Sequence, residues 1–386
     1  MEHHNALKSK AFLFLFFLWH LWFINFTVRA VFSPILPLIE DELVISHAKA
    51  SSILIFQAIG YAISLLLSGF YSGRFGYKKS IIFSLGISSL TFFFIPFVRV
   101  LPVFYIFSFI LGFSTGLYLP SAISLITEYF AEKEWGKSIA IHDSAASISI
   151  FVTPFIALFF LYFFKWRGIF EVFAVIFLVS AIIFYCISDE VKIRHSEEKT
   201  LFGDLIRKQS LWIIGIVVLF SAGANMGIYL ITPLYLTKEL SLSIGYAGTI
   251  LGISRFGAIG VAILCGFLVD KINLRKIMFV MVLVTGILTV LIGIAPVRFI
   301  GIVFLFQALF VTGIFPLSFV LIASTFSRET RSMATSLIMT IVVIFGGGVI
   351  PYLLGLSGDL ISFRFGISVL GVFVILSSWL LFKELK

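Results

Sequence analysis

The chain has 386 residues, 60% hydrophobic and only 12% charged, with a mean hydropathy of +1.13. A soluble globular domain carries roughly 25% charged residues, so too few charges are present to solvate a water-facing surface, and soluble classes are excluded. The net charge of +9 does not point to nucleic acid, because Lys and Arg are spread through short polar segments rather than gathered in one patch. The 47 Phe suit a lipid-facing exterior. Cys186 and Cys265 both fall in apolar segments and make neither a disulfide framework nor a metal site.

In chain order, a short polar start, Met1 to Lys10, leads into an apolar run too long for a signal-peptide core and without a small-residue cleavage site. It is read as the first membrane span. A helix needs about 20 apolar residues to cross the hydrocarbon, and runs of this kind are predicted at 11–38, 48–72, 80–98, 101–127, 137–163, 167–188, 210–235, 244–269, 276–296, 299–325, 332–355 and 360–382. The longest polar stretch, 189–209, separates spans six and seven and serves as a cytoplasmic linker between two six-helix bundles, 1–188 and 210–386. With the N-terminus inside, 19 of the 28 Lys and Arg fall in cytoplasmic segments and 7 in outer ones. The positive-inside rule then places both termini in the cytoplasm of a multi-pass inner-membrane protein.

The two halves repeat. Glu42-Leu43-Val44-Ile45-Ser46 recurs as Glu239-Leu240-Ser241-Leu242-Ser243, an offset of 197. At the same offset Gly69, Arg74, Lys78 and Lys79 recur as Gly266, Lys271, Arg275 and Lys276, Thr115-Gly116 as Thr312-Gly313, Pro154 as Pro351, and Arg167 as Arg364. Pro37 recurs as Pro233, at 196. Parallel repeats of this kind are a transporter architecture, with substrate held near the midplane.

The segment from Gly69 through Gly73-Arg74-Phe-Gly76-Tyr-Lys78-Lys79 resembles the loop 2–3 signature of the major facilitator superfamily, and Gly266 through Asp270-Lys271 to Lys276 resembles its degenerate second copy. The resemblance implies an all-α membrane protein of twelve helices in two pseudo-twofold bundles. It implies a gate or coupling role for Gly69, Arg74, Lys78, Asp270 and Lys271, with the departure that Gly73 stands where the family carries an Asp that helps latch the cytoplasmic side. Span five reads Ser149-Ile-Phe-Val-Thr-Pro154 and lacks the glycines of drug antiporters. The stretch from Gly116-Leu-Tyr118-Leu-Pro120 to His142-Asp143-Ser144 is closer to solute and organic-anion porters of the superfamily.

An ionisable side chain at mid-bilayer costs at least ~2.5–3.5 kcal/mol on insertion scales. Arg29 and Arg255 are the deep charges here, and no carboxylate is expected at their depth. Arg29 shares a helical stripe with Trp22, Asn25 and Phe26. Span seven carries Ser221, Asn225, Tyr229 and Thr232 in the same way, and Asn225 is the repeat mate of Arg29. Gln57 and Tyr61 on span two and Gln307 on span ten complete the set. The resemblance places these residues, with Tyr118, in one central substrate site. Gln57, Asn225 and Gln307 read equally as interhelical hydrogen-bond donors. His142 and Asp143 read as a gate or proton site or as a local pair, with Lys271 the expected partner of Asp143. Arg167 and Glu171 are spaced for an i, i+4 ion pair.

Arginine's planar fork suits oxyanions, so the sequence predicts alternating-access transport of a small organic anion by a monomer, in exchange or with protons. The alternatives are a proton-coupled exporter of drugs or sugars using Asp143, and a receptor built on a transporter fold. No nucleophile–base pair or metal-ligand cluster is present, so neither an enzyme nor a cofactor is expected.

Overall fold

The computed structural model describes residues 9–188, 205–257, 260, 261, 265 and 273–382. In hydrocarbon every backbone N–H must find its acceptor inside the segment, and the described chain is accordingly helical, without a β-strand. Among the described residues ten helical stretches are long and apolar enough to cross a membrane, and the shorter apolar helices Ile244–Ser254 and Phe363–Trp379 stand at the places of spans eight and twelve.

Prolines and glycines set the breaks. Span one divides into Ser9–Ala30 and Phe32–Leu43 because Pro34 has no N–H to give to the Ala30 carbonyl. Span four divides into Leu101–Gly116 and Tyr118–Tyr129, where Pro120 leaves the Gly116 carbonyl without a helical donor in the same way. Span five, Trp135–Phe163, continues through Pro154. Span seven departs further from expectation. Between Gln209–Ala222 and Ile228–Leu234 lies a π-helical turn, Gly223–Gly227, and a second, Tyr235–Glu239, ends the span. Span eleven has its own π turn at Phe345–Val349. Span eight, expected as one helix over 244–269, ends its first helix at Ser254 with Arg255 as the capping residue.

Two compact units emerge. The first contains Met1–Phe32 and Phe56–Glu197. Within it span one packs on span five and span three on span six, the latter through Phe92 against Phe170, Phe173 and Phe177 at 5.6–5.8 Å between ring centroids. Spans two and four touch backbone to backbone, since a Cβ on Gly112 would lie 1.9 Å from the Gln57 carbonyl oxygen. Arg167 gives Nη1 to the Pro96 carbonyl at 2.9 Å, a use of its charge that the i, i+4 spacing to Glu171 did not suggest.

The second unit contains Ser33–Ile55 and Glu198–Lys386. Spans nine and twelve form its most extensive helix contact. Arg364, the repeat mate of Arg167, again reaches a turn carbonyl, that of Ala295, at 3.3 Å. The 33–55 segment is tied to the C-terminal helices at several points. Pro233 cannot donate to the Tyr229 carbonyl, and the Ser33 hydroxyl donates to that oxygen instead, at 2.6 Å. Lys238 pairs with Asp41 and, at 3.5 Å, with Glu40. Both Asp359 oxygens accept backbone N–H groups, from His47 and Ala48, each at 2.9 Å, and cap that helix from outside. Asp41 and Lys238 are repeat mates at the 197 offset. So are Val44 and Ser241, the described non-glycine residues with left-handed backbone (φ 50° and 55°), which make the same turn in each repeat.

The contact of spans two and four is directly testable. Gly112→Ala is expected to destabilise the protein by about 1–3 kcal/mol through overpacking. Gly86→Ala, where a Cβ meets nothing within 4 Å, is expected to be neutral or slightly stabilising. Melting temperatures of the two purified variants check this.

Candidate functional site

In the first unit, Arg29 lies in the last turn of Ser9–Ala30. One and two turns back on the same stripe stand Phe26 and Trp22, and the guanidinium carbon lies 4.3 Å and 5.5 Å from their ring centroids. Tyr61 of span two closes the box at 4.4 Å. Such contacts are favourable, of order 0.5–2 kcal/mol each, and Tyr61 also makes a side-chain hydrogen bond with the guanidinium. Nε and Nη2 of Arg29 are buried with no hydrogen-bond acceptor, and among the described residues no carboxylate forms an ion pair with it. Asn25, one turn before Arg29, gives its amide to the Thr115 carbonyl at 3.1 Å and leaves Oδ1 buried and unpartnered. Gln57, one turn before Tyr61, has a buried Nε2 in the same condition.

Trp22 also belongs to a second cluster. Its ring stacks with Tyr118 (5.7 Å) and His142 (5.8 Å), both wholly buried. Its indole N–H points to Asp143 Oδ1 at 3.4 Å. Tyr118 is a fixed pillar, donating to the Leu18 carbonyl at 2.7 Å and lying 3.0 Å from His142 Nε2. The sequence placed no carboxylate near the deep arginines. The structure brings Asp143 to the same indole as Arg29, with no ion pair between the two. The missed signal was the contact of spans one and five, which no spacing along one helix reveals. Asp270 and Lys271, the latter the expected partner of Asp143, lie outside the described residues.

The loop 2–3 residues do other work. Gly69 and Arg74 lie on the short helix Ser68–Phe75, which ends at Gly76 with φ 89°, a conformation that favours glycine. Arg74 is exposed. Lys78 gives its ammonium to the Ser188 carbonyl and lies 5.1 Å from the Tyr185 ring, tying the loop to span six.

In the second unit Arg255 is buried, at 6% exposure. Its Nη1 donates to the Asn225 side-chain oxygen and its Nη2 to the Asn225 backbone carbonyl at 3.0 Å. Nε has no partner, and Tyr229 faces the guanidinium at 5.1 Å. The π turn shifts the backbone hydrogen-bond register here, and the Asn225 carbonyl accepts both the Ile228 N–H and the arginine. Ala224 offers its carbonyl to Gln307, whose Nε2 donates at 2.7 Å and also lies 3.3 Å from Thr289 Oγ1. Gln307 is thus a buried strut for the π turn. The two repeats use the same helix pair with the arginine exchanged: span one carries it opposite span two, whereas span eight carries it opposite span seven.

A helical membrane chain built from two sequence repeats, with a buried arginine in each, has an architecture found among carriers. The sequence pattern described as Major Facilitator Superfamily matches residues 18–298 and 214–386, and the chain belongs to that family. It is a multi-pass membrane protein and a secondary transporter, not an enzyme. Solved structures agree on the fold. A bacterial homologue of the human lysosomal transporter Spinster, inward-facing and unoccupied, superposes with a TM-score of 0.83 at 15% identity, covering 97% of each chain. The nucleoside transporter NupG (D323A mutant) gives 0.82 at 11%, covering 96% of this chain and 99% of that one. A D-xylose–proton symporter gives 0.76 at 17%, covering 97% and 98%. A search of curated proteins by sequence returned no match.

The strut assignment separates Gln307 from the arginines. Gln307→Leu leaves the Ala224 carbonyl without its side-chain donor and is expected to destabilise by about 1–3 kcal/mol, read as a lower melting temperature.

Proposed function

We propose that this transporter moves a small organic anion across the inner membrane by alternating access, acting as a monomer with both termini in the cytoplasm. The 19-to-7 division of Lys and Arg supports the orientation. The anion reading rests chiefly on Arg29, a guanidinium whose Nε and Nη2 are buried without an acceptor. Burying an ionised group without a hydrogen-bonded partner is costly, and an oxyanion at Arg29 would offset that cost with charge-assisted bonds. Arg255, held by the neutral Asn225 and keeping a free Nε, offers the second anion contact. Asn25, Gln57 and Tyr61 border the first contact, and Asn225 and Tyr229 the second. Trp22 packs behind Arg29.

A thermal-shift panel tests this. A ligand of the folded state adds about 2.7 kcal/mol of apparent stability at a hundredfold excess over its Kd. Carboxylates and phosphates are expected to raise the melting temperature, and sugars and cationic drugs to leave it unchanged. Arg255→Lys keeps the charge but loses the fork, and is expected to weaken anion binding by about 1.5–3 kcal/mol. Arg255→Ala is expected to abolish the shift. Stabilisation by sugars or drugs, unaffected by either variant, would overturn the reading in favour of a carrier of neutral or cationic solutes that depends on Asp143.

A further inference from the structure

Asn25 is the polar residue of the Arg29 stripe that an anion alone does not explain. The residue is 1% exposed, and its amide donates to the Thr115 carbonyl at 3.1 Å. That bond fixes the orientation of the side chain, because the reverse placement would set oxygen against oxygen. Oδ1 is therefore the free end, buried and without a donor. Thr115 does not supply one, since its hydroxyl lies on the carbonyls of Leu111 and Gly112 at 2.8 and 3.0 Å. An acceptor buried in this way is costly until a donor meets it.

The second repeat keeps no such acceptor at the matching positions. Ser221, the mate of Asn25 as Asn225 is of Arg29, turns its hydroxyl back to the Val217 carbonyl of its own helix at 2.7 Å. Asn225 itself gives its Oδ1 to Arg255. In the first repeat the vicinity is divided instead. Nε and Nη2 of Arg29 and Nε2 of Gln57 are buried donors without acceptors. Asn25 Oδ1, one helical turn from Arg29 or about 6 Å along the axis, is an acceptor without a donor. A bare carboxylate is all acceptor. It meets the arginine and the glutamine and leaves the Asn25 oxygen facing more lone pairs, so a second group on the same molecule must donate. An ammonium would be repelled by the adjacent guanidinium, whereas a hydroxyl donates without charge.

We propose that the anion taken by this site is a hydroxy acid, with its carboxylate on Arg29 and its hydroxyl donating to Asn25 Oδ1. The proposal rests on the reading of Arg29 as an anion contact and names the class of anion. Asn25 is then the residue that sets specificity. A site built to hydrogen-bond a substrate hydroxyl rejects the analogue that lacks it, because its own polar group is left unpaired. The same oxygen disfavours the plain acid further, by facing it with like partial charge.

Matched acids that differ by one hydroxyl test this on the purified full chain. Butyrate is compared with 2-, 3- and 4-hydroxybutyrate and with 2-aminobutyrate, and succinate with hydroxysuccinate. Affinities are read from the rise of melting temperature with ligand concentration. At least one hydroxylated acid is expected to bind about ten- to a hundredfold more tightly than its parent. Asn25→Leu keeps the bulk and removes the acceptor, and is expected to erase that difference. Equal affinity of every hydroxylated acid and its parent in the wild type overturns the proposal and leaves the anion reading in place. A preference that survives in Asn25→Leu, or tighter binding of the amino acid than of any hydroxybutyrate, overturns it as well. No response to any of these or other carboxylates and phosphates would sink the anion reading and the proposal together. The wild-type comparison decides the matter even where Asn25→Leu fails to fold.

Discussion

A guanidinium surrounded by aromatic rings, with two buried nitrogens that find no acceptor, is the constraint on which this account depends. Arg29 gains cation–π contacts from Phe26, Tyr61 and Trp22, but these satisfy its charge only in part. A structural arginine in a membrane bundle ordinarily spends its donors on carbonyls, as Arg167 does on the turn before span four. Arg167 gives Nη1 to a backbone carbonyl, whereas the neighbours of Arg29 are aromatic rings, and we propose that Arg29 is kept for a ligand. Arg255 stands between them, since Asn225 occupies its two terminal nitrogens without neutralising its charge.

The helix breaks that shape these sites follow from backbone chemistry. Pro233 frees the Tyr229 carbonyl, and Ser33 of the 33–55 segment takes it. The same Tyr229 presents its ring to Arg255. One residue therefore joins the docking of that segment to the second arginine. The π turn at Gly223–Gly227 supplies the carbonyls for Arg255 and Gln307. Non-helical backbone is tolerated at membrane depth only where protein or a cavity meets its polar groups, and here side chains of spans eight and ten do so.

Much of this was legible in the sequence. Apolar runs of spanning length, the offset of 197 and the loop 2–3 motif are local or periodic signals, and they carried the span count and the repeat. The repeat extends to backbone detail, since Val44 and Ser241 share a left-handed turn. Arg29 and Arg255 were found because an intramembrane charge is rare whatever surrounds it. Less visible were contacts between helices distant in the chain. The resemblance implied Lys271, outside the described residues, as the partner of Asp143, and the meeting of Asp143 with Trp22 depends on how spans one and five pack. The π turns left only a clustering of glycines at Gly223, Gly227 and Gly346 to Gly348. Glu40, His47 and Asp359 carry no local signal in the sequence, and it is the fold that brings them together.

The central claim is that Arg29 is kept for an anion at a cost to the empty protein. An apolar residue of similar length removes the buried charge without leaving a large void, and replacing buried charge by packed apolar groups is often neutral or stabilising by about 1–4 kcal/mol. The measurement is the melting temperature of Arg29→Met, without ligand and with the carboxylate that most stabilises the wild type. The account expects the variant to melt at or above the wild-type temperature when empty and to gain less from the carboxylate. A variant that melts well below wild type when empty, yet gains as much from the carboxylate, would contradict it and make Arg29 a structural residue.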